Sequence, residues 1–122
     1  MSDKQQTRVV AVLDDIFFAS KIKEAAKQSG VELEIINNAD GLMESLYGRL
    51  PDLIIFDLNS NKLNPLDLIK EIKSSSKLSS VKTIGYLPHV EKKLMKEASD
   101  AGCDIVMPRS RFSRELTGIL KQ

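Results

Sequence analysis

The sequence has one cysteine, one histidine and no tryptophan. With Cys103 alone, neither an internal disulfide nor a thiolate metal cluster can form. A lone histidine, His89, excludes sites built from several imidazoles. No Ser/His/Asp or Cys/His arrangement with a matching motif can be assembled, so the chain is not expected to be an enzyme. Neither sign of charge is in excess. Lys and Arg number 18 against 17 Asp and Glu, a formal net charge of +1. That balance gives no general attraction to nucleic acid or to an anionic membrane. No apolar run nears the ~20 residues of a bilayer span. The segment Met1–Gln6 is polar and carries no apolar signal-peptide core. A reduced, cytoplasmic setting is therefore expected. The 122 residues leave room for one domain with a real core, expected over 1–122 with a short polar tail at 1–7.

Five short apolar runs are present: Val9–Leu13, Leu33–Ile36, Leu53–Phe56, Thr83–Leu87 and Asp104–Met107. Continuous runs of this length suit strands buried on both faces. Stretches with helical spacing lie between and after them. Ile16–Ser29 places Ile16, Ser20, Ile22, Ala25 and Ala26 near one stripe, and Gly30 supplies a stop. Asp40–Arg49 reads as a helix capped by Asn38 or Asp40. Pro65–Ser74 begins with a proline suited to a first turn, and Ser74–Ser80 reads as a loop. Glu91–Ala101, ended by Gly102, and Arg111–Lys121 complete the set. Strict alternation of strand and helix argues for a parallel sheet with helices on both faces.

In such sheets ligands bind beyond the carboxyl ends of the strands. The first predicted strand runs into Asp14-Asp15 and the third into Asp57. Three carboxylates there repel one another unless a cation or proton intervenes. An oxygen-rich cluster suits Mg²⁺, and a carboxylate beside Mg²⁺ can accept a phosphoryl group. Asp15 capping a helix beside a merely solvated Asp14 fits the same spacing, and the residues alone leave both readings open. Of the remaining residues, one of Phe17 and Phe18 is expected in the core, with Met43, Met95 and Met107. Cys103 reads as a buried filler and Tyr86 as a strand-face residue.

The runs VVAVLDD and LIIFDLN and the five-fold alternation resemble the receiver domain of bacterial response regulators, of the chemotaxis single-domain type, from about Arg8 to Leu120. The resemblance implies a flavodoxin-like (βα)5 sandwich with sheet order 2-1-3-4-5. It implies Mg²⁺ held by Asp14, Asp15, Asp57 and the Asn59 backbone carbonyl, with Asp57 as phosphoacceptor. The match then departs from the family. Leu87 stands where receivers carry Ser or Thr, and Met107 where they carry Lys. Asp104 stands nearest the usual switch aromatic, and Pro65 replaces a common glycine. The Met107–Pro108 bond is expected to be cis by the same resemblance. A degenerate pseudo-receiver is the reading that follows, with His89, Arg109 and Ser110 as candidate substitutes. Arg109 is expected on the last strand, facing as Met107 does.

A pseudo-receiver without an output segment would signal by protein contact. The resemblance implies a histidine kinase, another regulator or a motility or polarity protein as partner, or a second copy through the last two helices and the strand between them. Lys92, Lys93 and Lys96 form a candidate docking patch. A phosphorylatable receiver is the alternative. A small-ligand-binding flavodoxin-like domain is a third reading, disfavoured because no Gly-rich loop follows the first strand.

Overall fold

The computed structural model describes residues 6–60 and 62–121. Its elements alternate: β1 (Arg8–Val12), α1 (Ile16–Ser29), β2 (Glu32–Ile36), α2 (Ala39–Gly48), β3 (Leu53–Asp57), α3 (Pro65–Ser74), β4 (Lys82–Leu87), α4 (Lys92–Ala101), β5 (Ile105–Pro108) and α5 (Arg109–Leu120). The five strands form one parallel sheet in the order β2-β1-β3-β4-β5. Among the described residues no helix is long and apolar enough to cross a membrane. The polar tail expected at 1–7 lies mostly outside the described residues; Gln6 and Thr7 are within them, and Thr7 accepts a backbone bond from Glu32.

The two faces of the sheet bury different helices, because successive strand residues point opposite ways. Val9, Ala11, Ile55, Ile84, Tyr86 and Met107 pack against α1 and α5. Val10, Val12, Ile54, Phe56 and Leu87 pack against α2, α3 and α4. Parallel pairing sets Asp57 beside Tyr86, and Tyr86 beside Met107. Three neighbouring strands thus bring these residues to one level of the sheet.

Local chemistry sets the helix ends. Asp15 caps α1, accepting from the Phe17 and Phe18 amides. Gly30 ends that helix at φ 70, a left-handed conformation that glycine adopts without a Cβ clash. Asn38 caps α2 through the Gly41 amide, as its sequence position suggests. The cap fixes the rotation of α1, so its buried stripe is Phe18, Ala19, Ile22 and Ala26. Ile16, expected on that stripe, is exposed instead.

Other expectations are corrected at β5. The Met107–Pro108 bond is trans, as are all peptide bonds among the described residues. The chain enters α5 directly from extended Pro108 and needs no reversal there. Arg109 is consequently the first residue of α5 and not a strand residue, and Ser110 lies in the first helical turn. Asp104 precedes β5 at the amino end of the strand, remote from Asp57. There its Oδ2 accepts from the Thr83 amide at 2.8 Å, the Thr83 hydroxyl at 3.0 Å and Lys73 Nζ at 2.8 Å.

Burial raises the Asp104 carboxyl, but the Lys73 ammonium and the Thr83 donors outweigh it and hold the group below its ordinary range. A lowered folded pKa stabilises the protein above the unfolded pKa, and that contribution disappears as pH falls through the folded value. Asp104→Ala is expected to cost about 1–2 kcal/mol at neutral pH, the partly exposed side chain moderating charged hydrogen bonds. In urea melts the deficit should shrink below about pH 4, near the unfolded Asp pKa. A deficit constant down to pH 2 would contradict this account.

Candidate functional site

The backbone carries Asp14 and Asp15 just past β1 and Asp57 at the end of β3, so all three carboxylates meet at the carboxyl edge of the sheet. Leu13 still bonds to the Ile36 carbonyl at 3.1 Å, which keeps the chain extended up to the acid pair. Asp15 spends Oδ1 on the two cap bonds, at 3.0 and 3.1 Å. Its Oδ2 lies 4.0 Å from Arg109 Nη1. Asp14 Oδ2 accepts from the Ser60 hydroxyl at 3.3 Å, and the same hydroxyl oxygen accepts from the Leu63 amide. Asp57 Oδ1 accepts from the Asn59 amide at 3.0 Å. Among the described residues no hydrogen bond reaches Asp57 Oδ2. Asn59 therefore meets the acceptor through its N–H.

The Asp57 carboxyl is pushed above its ordinary range. Burial is the main cause; the Asn59 bond opposes it, Asp14 and Asp15 add repulsion, and Arg109 draws it partly back. Among the described residues, no three His, Cys, Asp or Glu side chains form a ready metal cluster. The donor set still fits Mg²⁺, which takes one or two carboxylates and keeps several waters. Asp57 Oδ2 and the Asp14 oxygen that takes no hydrogen bond among the described residues are hard oxygen donors beside a carboxyl whose negative charge is under-compensated.

Beneath the acids lies an aromatic cluster. Tyr86 stacks on Phe112 at 4.9 Å and tilts against Phe18 at 5.0 Å, and Phe18 lies 6.0 Å from Phe112. Arg109 covers the Phe18 ring at 5.5 Å, within cation–π range. Tyr86 is 1% exposed, and among the described residues its hydroxyl has no hydrogen-bond partner. Burial, followed by the charges of Asp57 and Asp15, raises that phenol far above its ordinary value.

The sequence-marked residues divide accordingly. Asp14, Asp15, Asp57, Asn59 and Arg109 converge. Leu87 is fully buried and faces α3 and α4, while Met107 is 3% exposed in the other core. His89 is exposed in the loop before α4, and Ser110 is exposed on α5. Lys92, Lys93 and Lys96 are exposed on α4, where Lys96 pairs with Asp100 at 2.8 Å. Phe17 is 83% exposed at the mouth of the acid site, and Phe18 takes the core position. Ser60 escaped the sequence reading because no motif marks a serine three residues past the acceptor. Tyr86 escaped because its importance depends on cross-strand register.

Neither a protein-family model nor a curated protein sequence matches the chain. Solved structures do match. The chemotaxis response regulator CheY4 of Vibrio cholerae superposes with a TM-score of 0.83 at 16% identity, over 96% of this chain and 98% of that one. The phosphorylated cyanobacterial phytochrome response regulator RcpA gives 0.82 at 21% identity, over 96% and 90%. The fold is that of the response-regulator receivers. The Mn²⁺-bound response regulator Rcp1 shares it, at 0.78 and 19% identity over 94% and 89% of the two chains. At these identities the receiver fold is common ground, including the sheet order 2-1-3-4-5. The receiver chemistry has to be argued from this chain's own residues.

Proposed function

We propose that this chain is a pseudo-receiver signalling module that acts by protein contact and carries out no turnover of its own. One observation carries the reading: Met107, abreast of Tyr86 and Asp57 where the resemblance to receivers implies a Lys, is a buried thioether, and Leu87, where the resemblance implies Ser or Thr, is a buried apolar side chain on the other face of the sheet. Leu87 faces away from Asp57, and Met107 ends in a thioether without a proton to donate. A ligand on Asp57 gains nothing at these positions from a rearranged state, and a ligand that binds two states equally shifts neither. The partner is another signalling protein, a kinase, a regulator or a motility or polarity component. A second copy meeting α4, β5 and α5 is the other candidate. The exposed Lys92, Lys93 and Lys96 offer a basic docking face, and the free, buried Cys103 suits the cytoplasm.

A second reading, that Asp57 accepts a phosphoryl group, draws support from Oδ2, which among the described residues takes no hydrogen bond, at the carboxyl edge of the sheet. In that step Oδ2 attacks the phosphorus of an acyl-phosphate donor. The P–O bond to the donor breaks, and the donor carboxylate leaves with the electron pair. Mg²⁺ at Asp14 and Asp57 would supply charge neutralisation. A small-ligand site has less support, since β1 leads into two acids and no glycine-rich turn.

Amide NMR with Mg²⁺ and then beryllium fluoride tests the module. Shifts confined to the acid edge and the adjoining ends of α1 and α5 are expected. Shifts spread across α4, β5 and the length of α5 would overturn the loss of the receiver readout.

A further inference from the structure

We propose that copies of this chain stack end to end, the Phe17 ring of one copy seated in the cavity between Tyr47, Leu50 and Leu78 of the next. The contact rests on neither reading of Asp57, and it uses surfaces other than the face formed by α4, β5 and α5.

Among the described residues five large apolar side chains are exposed: Ile16, Phe17, Tyr47, Leu50 and Val90. All five lie at the two ends of the sheet. Ile16 and Phe17 follow β1, and Val90 follows β4, at the carboxyl edge. Tyr47 ends α2 and Leu50 leads into β3, at the amino edge. Apolar residues scattered singly need no explanation, but a set gathered at two places marks surface that an assembly covers.

The two ends differ in shape. At the carboxyl edge Asp15 fixes the first turn of α1 by accepting from the Phe17 and Phe18 amides. Phe18 is thereby turned into the core, and Phe17 stands outward, 83% exposed. At the amino edge Leu46, Tyr47, Leu50 and Leu78 line a cavity of about 320 Å³. A cavity of roughly 150 Å³ already accepts a benzene ring. Both walls are held in place. The Arg49 carbonyl accepts from Arg8 Nη1 at 3.2 Å. Lys73 Nζ donates to the Ser79 and Val81 carbonyls at 3.2 and 2.8 Å, pinning the turn that carries Leu78. A ring entering a preformed cavity orders little on either surface.

Charge agrees with shape. Arg49 and Lys77 rim the cavity. Arg49 pairs with Glu32 at 3.1 Å, and Lys77 makes no ion pair among the described residues. Near Phe17, Asp14, Asp15 and Asp57 outnumber Arg109 and Lys21. An acidic knob thus meets a basic socket, which fixes the orientation of the contact. A net charge of +1 sets little general repulsion between copies. Knob and socket lie at opposite ends of one chain and cannot satisfy each other within it. The contact is therefore heterologous, and every added copy leaves one knob and one socket free.

The test is sedimentation velocity of the full chain over a concentration series. The mean mass of wild type is expected to keep rising past the dimer. Phe17→Asp and Leu50→Asp are each expected to weaken association tenfold or more, and Lys77→Glu several-fold. All three positions are exposed, and thermal melts check that the fold is kept. Phe17→Asp retains its socket and Leu50→Asp its knob, so a mixture of these two should form a one-to-one dimer and nothing larger. Wild type that stays monomeric throughout would overturn the stack and leave these ends to other proteins. A dimer plateau that survives both variants would overturn it in favour of a symmetric contact elsewhere. A mixture that stays monomeric would overturn the pairing of knob with socket.

Discussion

Phe112→Ala is expected to lower the unfolding free energy by about 3–5 kcal/mol, while Tyr86→Phe, one ring away, should raise it by about 1 kcal/mol. Phe112 is completely buried between α5 and the sheet, and it stacks on Tyr86 and flanks Phe18. Truncation removes the ring's burial and leaves a void that its neighbours, held in the strands, fill poorly. Tyr86→Phe keeps the ring and all its aromatic contacts. It deletes only a hydroxyl that has lost water and gained no partner. The usual penalty for Tyr→Phe in a core comes from a broken hydrogen bond, and among the described residues this hydroxyl makes none. Chemical denaturation of the two variants checks both signs; a thermal shift of roughly +4 °C corresponds to the gain. A Tyr86→Phe variant markedly less stable than wild type would mean that the hydroxyl is bonded in solution.

The second large effect concerns Asp57 and divalent cations. Without metal at neutral pH, Asp57→Asn should be more stable than wild type. Burial raises the folded-state pKa of Asp57, so the ionised carboxylate is a cost to the fold. For a raised carboxyl that cost is absent below the unfolded pKa, near 3.9. It grows as pH rises through the folded value and is complete above it. The advantage of Asp57→Asn should therefore close as the buffer is taken toward pH 3. Adding Mg²⁺ should invert the order at neutral pH. At a hundred times its dissociation constant a cation that binds only the folded state adds about 2.7 kcal/mol to wild type. The amide of Asp57→Asn supplies no charge and should lose most of that gain. Thermal melts of both proteins with and without Mg²⁺ report the crossing. Identical Mg²⁺ responses would place any bound cation elsewhere.

The strand-end acids were legible because central parallel strands are buried on both faces and read as unbroken apolar runs. VVAVL and LIIF point to Asp14, Asp15 and Asp57 without further information. The edge strand was less legible. Glu32 belongs to β2, but an exposed acid does not look like part of an apolar run. Asp104 looked like the start of β5, yet its carboxylate is held by Lys73, distant in sequence, which no local pattern reveals. Arg109 was misplaced because α5 starts without a side-chain cap, so no Ser, Thr, Asn or Asp announces its first turn. Arg109 still arrives near the acids, through the helix rather than the strand. The orphaned Tyr86 hydroxyl was beyond sequence reading, since it depends on which residues of β3, β4 and β5 lie abreast.

The two borders of the sheet differ in a way that bears on self-association in a crowded cell. On β2, Glu32 and Glu34 are ion-paired, with Arg8 at 3.7 and 2.9 Å, and Glu32 also with Arg49 at 3.1 Å, so a second copy adding its own β2 there would have to desolvate these charges. Strand addition on that side is discouraged by the cost of taking these ion pairs out of water. Along β5 the residues are Ile105, Val106 and Met107, with no charge among them. That border is guarded by brevity and by Pro108, which has no N–H to lend to an incoming strand. Aggregation from a partly opened chain would consequently start at β5, and a single lysine introduced on its outer edge is the economical way to suppress it.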